Sequence, residues 1–118
     1  MSELFKAITA SARGDVSVGE DGWFQQTFVF AEDFPGFMGH FPGHPLLPAV
    51  IQMMAGAALA SHWLGAVPDV RGVKNAKFLT QILPGMPVTV HARPVGRDAA
   101  EVRIMAGDRP AAAFTLLF

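Results

Sequence analysis

The fold class the sequence predicts is α+β: a curved antiparallel sheet wrapped around one long apolar helix of about residues 48–64. Three observations predict it. The run from Pro48 to Leu64 has no glycine but Gly56, opens on a proline suited to a first helical position and stops before Gly65. Trp23 to Phe30 is aromatic and branched, and is bounded by the turn pairs Asp21-Gly22 and Glu32-Asp33. Beyond Asp69, short alternating segments recur with turn signals roughly every ten residues.

The helix comes first because the rest is arranged around it. Its polar residues are only Gln52, Ser61 and His62, so it is apolar nearly all round and must be enclosed by other structure. A membrane span is not expected, because the run is at the short limit for crossing a bilayer and strand-like sequence follows it. Ahead of it, residues 34–48 hold four prolines and three glycines, too many for a helix interior or a central strand, and read as an ordered loop. After it come Val70–Gln81, the turn at Pro84-Gly85, Met86–Val95, the turn at Gly96-Arg97-Asp98, Ala99–Ala106, a turn at 107–110 and Ala111–Phe118. Alternation in Val88-Thr89-Val90-His91-Ala92-Arg93 and in Glu101-Val102-Arg103-Ile104 marks a three- or four-strand antiparallel meander.

At 118 residues with no repeat or linker, the chain reads as a single domain over 1–118. Charged residues make up 16% of it, well below the roughly 25% usual in soluble domains, so an apolar share of surface is left for a partner subunit and an oligomer is expected. The absence of cysteine excludes disulfides, thiolate metal sites and a cysteine nucleophile. Met1-Ser2-Glu3-Leu4-Phe5-Lys6 lacks the regions of a secretory signal, which makes a cytoplasmic location the expectation. A formal net charge of −1 argues against nucleic acid. The charges are nevertheless segregated: residues 1–69 carry two basic groups against seven acidic, and residues 70–118 seven basic against three acidic. The later half is ordinary solvated strand surface or a docking patch for an acidic partner.

Histidine is the side chain poised for proton transfer near neutral pH, and there are four. His91 alternates with Val88, Val90 and Ala92 and reads as a structural or surface residue; His62, near the helix end, suits capping. His40 and His44 lie in the Pro/Gly loop just ahead of a helix N-terminus that offers free backbone N–H groups. A metal site built on this pair is not expected, because Pro42 and Pro45 prevent the helical turn that makes such ligands converge.

Gly39-His40-Phe41-Pro42-Gly43-His44-Pro45-Leu46-Leu47-Pro48-Ala49-Val50 resembles the active-site loop of the β-hydroxyacyl-acyl carrier protein dehydratases, whose pattern is Gly-His-Phe-Pro-Gly-x-Pro-x-x-Pro-Gly-Val. Ala76-Lys77-Phe78 and Leu83-Pro84-Gly85-Met86 resemble later strand signatures of the same family. The resemblance implies a hotdog fold, a dimer with continuous sheets and an acyl tunnel at the dimer interface. It implies that His40 is the base that takes the C2 proton of a 3-hydroxyacyl thioester. The Ala49 backbone N–H would steady the thioester oxygen, and Phe41, Pro42, Gly43, Pro48, Val50, Met53 and Met54 would bound the substrate. Acyl carrier protein is the implied partner, received by Arg71, Lys74 and Lys77.

Two departures from the pattern matter. Alanine replaces glycine at 49, keeping the N–H donor. At the position of the family's helix carboxylate stands Met54, with Ala58 where a glutamine usually follows, and no Asp or Glu occurs between Asp33 and Asp69. Gln52, about 200° around the helix from Met54, should face elsewhere. His44 is the remaining side chain able to stand in as acid, although a second histidine beside His40 lowers the pKa of both.

The sequence therefore supports a 3-hydroxyacyl-carrier dehydratase of fatty acid, polyketide or polyene synthesis with a non-standard or borrowed acid. The alternative is a catalytically impaired acyl- and carrier-binding subunit. A homodimer or higher oligomer fits the first; a heterodimer with an acid-bearing paralogue fits both. Nothing in the sequence suggests a nucleotide, flavin or metal cofactor.

Overall fold

The computed structural model describes residues 3–37 and 46–118. Its first two elements have no counterpart in the sequence expectations. Glu3–Ala10 forms helix α1, burying Phe5 and Ile8 from one side, and Ala12–Val18 forms strand β1. Phe24–Val29 is β2, and Pro35–Phe37 makes a single 3-10 turn. Helix α2 spans Ala49–Leu64, followed by β3 (Gly72–Phe78), β4 (Pro87–Val95), β5 (Ala99–Ala106) and β6 (Arg109–Leu117). No helix among the described residues is long and apolar enough to cross a membrane.

Pro48 is not the first helical residue but the N-cap, one position earlier than the sequence suggests. Its ψ of 153° keeps it extended, while its carbonyl already accepts from the N–H groups of Ile51 (3.1 Å) and Gln52 (3.3 Å). At the other end Gly65 adopts φ 82°, and its N–H reaches Ser61 O at 2.9 Å, closing the last turn where a Cβ would be strained. Of the expected loop 34–48, Phe34 and Phe37 are buried and meet edge-on at 5.8 Å; residues 38–45 lie outside the described residues.

The six strands form one antiparallel sheet in the order β1-β2-β4-β5-β6-β3. Of the three- or four-strand meander expected, the three-strand form is present. β4, β5 and β6 are neighbours in sequence and space, but β3 pairs with β6 at the far edge rather than with β4. The chain gets from one side of the sheet to the other through the β3–β4 connection, which is fastened at both ends. Leu79 N–H donates to Ala111 O (2.8 Å), Gly85 N–H donates to Phe30 O (2.8 Å), and Ile82 is fully buried between them.

One face of the sheet packs on α2. Val88, Val90 and Ala92 of β4, Ala100, Val102 and Ile104 of β5, and Ala112, Phe114 and Leu116 of β6 alternate inward, as the period of two requires. The helix comes nearest to them at Gly56, and Ala55, Ala57, Ala58 and Ala60, spread around its circumference, are buried as well. At Gly56 an added Cβ would stand 3.0 Å from Val102 Cγ2 and 3.1 Å from Val102 Cγ1, so helix and sheet touch almost backbone to side chain. A six-stranded antiparallel sheet around one central helix is the hotdog arrangement.

Gly56→Leu must push α2 away from β5. We expect it to destabilise the protein by about 1–3 kcal/mol, measured by denaturant unfolding, whereas Ala99→Leu on the opposite face should change stability little.

Candidate functional site

The start of α2 is built by a small set of backbone constraints. Leu47 N–H donates to Ile82 O at 2.9 Å, fixing the residue before Pro48 to the β3–β4 connection. Gln52 reaches back along the helix, and its Nε2 donates to Leu47 O at 3.2 Å. With Pro48 as N-cap there is no side-chain cap, so the N–H groups of Ala49 and Val50 have no acceptor within the helix. They point from the positive end of the helix dipole, an arrangement that favours a partial negative charge placed there.

Gln52 is the unusual residue of this region. It is 5% exposed, and its Oε1 has no hydrogen-bond partner among the described residues. A buried acceptor left unpaired costs about 1–3 kcal/mol, so an unpaired atom here calls for a reason.

Two cavities flank the helix start. One of about 420 Å³ is lined by Leu46, Leu47, Ala49, Gln52, Phe78 and Thr80 among others. The second, of about 460 Å³, is bounded by Val50, Met53, Met54, Ala57, Val70 and Val73. Gln52 and Met54 do open on different sides of the helix, as their angular separation requires. The second cavity is mostly apolar and includes the exposed side chains Val50, Val70 and Val73, while the exposed Phe78 and Leu79 line the first. They border β3, an edge strand with one side unpaired in the sheet.

Of the residues singled out in the sequence, Pro48, Ala49, Val50, Met53 and Met54 are brought together at this helix start. His40, Phe41, Pro42, Gly43 and His44 lie outside the described residues. Ala58, at the position of the family's glutamine, is buried in the core. The three basic residues do not form one patch. Arg71 borders the apolar cavity, and its N–H donates to Leu117 O at 2.7 Å. Lys74 and Lys77 pair with Thr115 and Ala113, which places them on the sheet face turned away from α2. No group of three or more His, Asp or Glu able to hold a metal occurs among the described residues.

That outer face carries a second polar cluster. Register sets Arg93 opposite Glu101 and His91 opposite Arg103. Arg93 Nη2 donates to Glu101 Oε2 at 2.9 Å, Arg103 Nη2 donates to Glu101 Oε1 at 3.1 Å, and both guanidinium groups lie over the Trp23 ring at 4.6 and 5.0 Å. The hydrogen bond from Arg93 holds the Glu101 carboxyl below the usual carboxylate range. Burial lowers the His91 pKa, opposed by the Asp21 charge and assisted by Arg103. Strand alternation could have paired Arg93 with Glu101 in advance, but nothing local ties Trp23 to them.

A family model described as ApeI-like, ApeI dehydratase, matches residues 17–112. The chain belongs to the ApeI-like dehydratase family. Among curated relatives of this family member, the 3-hydroxyacyl-acyl-carrier-protein dehydratase FabZ of Lactiplantibacillus plantarum is 30% identical over 115 residues, covering 88% of this chain and 77% of the relative. The same enzyme of a Polaromonas strain is 37% identical over 76 residues, covering 52% of each. The chain thus spans about half the length of that relative, and 38% of the one from Fusobacterium nucleatum. Among solved structures, a chain of "The Dehydratase Heterocomplex ApeI:P from Xenorhabdus doucetiae" superposes with a TM-score of 0.74 at 19% identity, over 87% of this chain and 92% of that one. A hypothetical thioesterase from Streptococcus pneumoniae with coenzyme A gives 0.66 at 9% identity, over 97% and 91%. At these identities the structures establish the fold of this ApeI-like chain as hotdog.

The His91 shift makes a pH prediction. Its pKa is lower in the folded protein than in the unfolded chain, so protons favour unfolding, and stability present above about pH 6.5 falls as pH drops below it. The melting temperature should decline from about pH 7.5 to about pH 5.5, and less steeply in His91→Gln; equal slopes in the two proteins would clear His91 of the effect.

Proposed function

We propose that this chain is a dehydratase-type subunit for 3-hydroxyacyl thioesters on acyl carrier protein, contributing the base and the oxygen-binding N–H while a second chain supplies the acid. One observation carries the reading: the central helix, which opens on an Ala49 N–H with no acceptor within the helix, presents methionine at 54 and has no carboxylate anywhere along Ala49–Leu64. In the reaction, His40 removes the C2 proton of the acyl chain. Negative charge moves onto the thioester oxygen, held by the Ala49 N–H, and the C2=C3 double bond forms as the C3–O bond breaks. The leaving hydroxyl needs a proton to depart as water, and His44 is the one acid this loop could offer. A carboxyl group from a partner chain is the better match to a loop that is otherwise complete.

Several features support assembly with a second chain. The unpaired edge of β3 lies beside exposed apolar side chains, Val50, Val70 and Val73 at the Met54 cavity and Phe78 at the Gln52 cavity. A sheet edge backed by apolar side chains is the kind of surface a second hotdog chain covers. The relatives named as FabZ dehydratases support the substrate class, and the structural neighbour titled a dehydratase heterocomplex supports a mixed pair. An acidic carrier would meet Arg71 at the rim of the apolar cavity and Lys74 and Lys77 on the outer face of the adjoining strand, two separate points of positive charge.

Purified protein should be assayed for hydration of enoyl and dehydration of 3-hydroxyacyl carrier-protein thioesters, beside His40→Ala and Met54→Glu. The apolar wall around residue 54 would raise the pKa of an introduced carboxyl and keep it protonated as an acid. Met54→Glu is therefore expected to raise turnover by about 10² or more, and His40→Ala to abolish it in either background. Full activity of the native chain alone, lost in His44→Ala but not raised by Met54→Glu, would replace the partner acid with His44.

Reversing charge at the docking border tests the carrier. Arg71→Glu with Lys74→Glu should weaken carrier-protein binding about ten-fold at low salt and less at high salt; unchanged affinity would discard this surface.

A further inference from the structure

Gln52 has no task in the reaction as described, yet it is the most conspicuous polar group beside it. Its side chain is 95% buried, taking the complement of its 5% exposure, and it lines the cavity that also receives Ala49. Its Nε2 is committed to Leu47 O at 3.2 Å, which fixes the amide orientation and leaves Oε1 as the atom without a partner. The bracket to Leu47 needs only the donor half of the amide. A purely structural role therefore explains Nε2 and leaves Oε1 unexplained.

The position on the helix supplies the rest. Ala49 and Gln52 are three residues apart, so they share one face, and Gln52 sits about 4.5 Å further along the axis at about 1.5 Å per residue. A donor unused within the helix is thus followed, one turn along the same cavity, by an acceptor with no partner among the described residues. A 3-hydroxyacyl thioester carries the complementary pair: an acceptor oxygen at C1 and a hydroxyl donor at C3, two carbons away. The enoyl and saturated chains have the first and lack the second.

We propose that Gln52 Oε1 accepts a hydrogen bond from the C3 hydroxyl of the bound acyl chain, making Gln52 the residue that selects hydroxyacyl over saturated thioesters. The inference rests on the reading of this chain as a thioester-binding subunit. An amide has no proton to give at neutral pH, so Gln52 orients the leaving hydroxyl and does not replace the missing acid. It is a specificity residue: in its absence the hydroxyl would enter a largely apolar pocket without an acceptor, at a penalty the saturated chain does not share.

The test uses the full chain in the assembly it forms on purification, with 3-hydroxyoctanoyl and octanoyl pantetheine thioesters as probes and equilibrium binding as the readout. Native protein should bind the hydroxyacyl probe about ten-fold more tightly. In Gln52→Met the ratio should fall to about one, whereas a bracket-only role would shift both affinities together and leave the ratio intact. Gln52→Glu keeps an acceptor oxygen in either protonation state and should retain the preference. Equal affinity of the native protein for both probes overturns the proposal, as does a preference that survives Gln52→Met. If Gln52→Met does not fold, the native ratio and Gln52→Glu still decide, since loss of the preference in Gln52→Glu contradicts the acceptor role. Failure to bind either probe overturns the thioester reading itself.

Discussion

At Gly56 the backbone of α2 lies so near β5 that a methyl group would press on both Cγ atoms of Val102. That approach sets the depth at which the helix is seated, and the other features of the molecule follow from it. Ala60, one turn beyond Gly56 on the same face, is small as well, and Ala55, Ala57 and Ala58 are buried around the rest of the helix together with the larger Ile51 and Leu59. A helix enclosed this way has little surface left for charge, which is why its polar groups are confined to Gln52 and to the last turn. Among the described residues, its N-terminus brings backbone donors unused within the helix and a dipole end together beside the two cavities.

The same seating divides the surroundings of that N-terminus into two unlike cavities. On one side the Met53 and Met54 wall merges with the exposed apolar border of β3, suited to an acyl chain or to a second subunit. On the other, the β3–β4 connection closes over Gln52 and brings Leu47 under the control of Ile82. The charged groups are kept off both. Arg93, Arg103, Lys74 and Lys77 project from the outer face because the register of β3 to β6 and of β4 to β5 places them there. The basic side chains of the outer face and the apolar cavities are thereby separated by the thickness of the sheet, with Arg71 at the border between them.

Much of this was legible in the residues. The uncharged run 48–64 could only be an enclosed helix, and the alternation at 88–93 and 101–104 fixed which side chains of β4 and β5 turn inward. β1 was not legible, because an edge strand half covered on one face and solvated on the other carries the polar sequence Ala-Arg-Gly-Asp-Val-Ser-Val, with no apolar run to mark it. α1 is eight residues with two buried positions, too short to stand out from a loop. The displacement of β3 to the far edge depends on long-range hydrogen bonds from Leu79 and Gly85, which no local pattern encodes. For the site, the sequence singled out the helix start and the missing carboxylate. It could place Gln52 on a different face from Met54, but whether that face was solvent or cavity was decided by the path of the β3–β4 connection.

The choice of an amide at position 52 has its own physical logic. A carboxylate with the same exposure would lose most of its hydration, and with no cation among the cavity residues to balance it, it would hold a proton at neutral pH. A thioether there would leave Leu47 O without its donor, loosening the turn that positions Ala49. Glutamine satisfies the carbonyl behind it and presents an uncharged acceptor ahead, at the cost of about 1–3 kcal/mol while that acceptor is unfilled. Such a cost is recoverable only when a donor arrives. A donor brought to that atom, such as the hydroxyl proposed above, would recover the cost without placing any charge in the core.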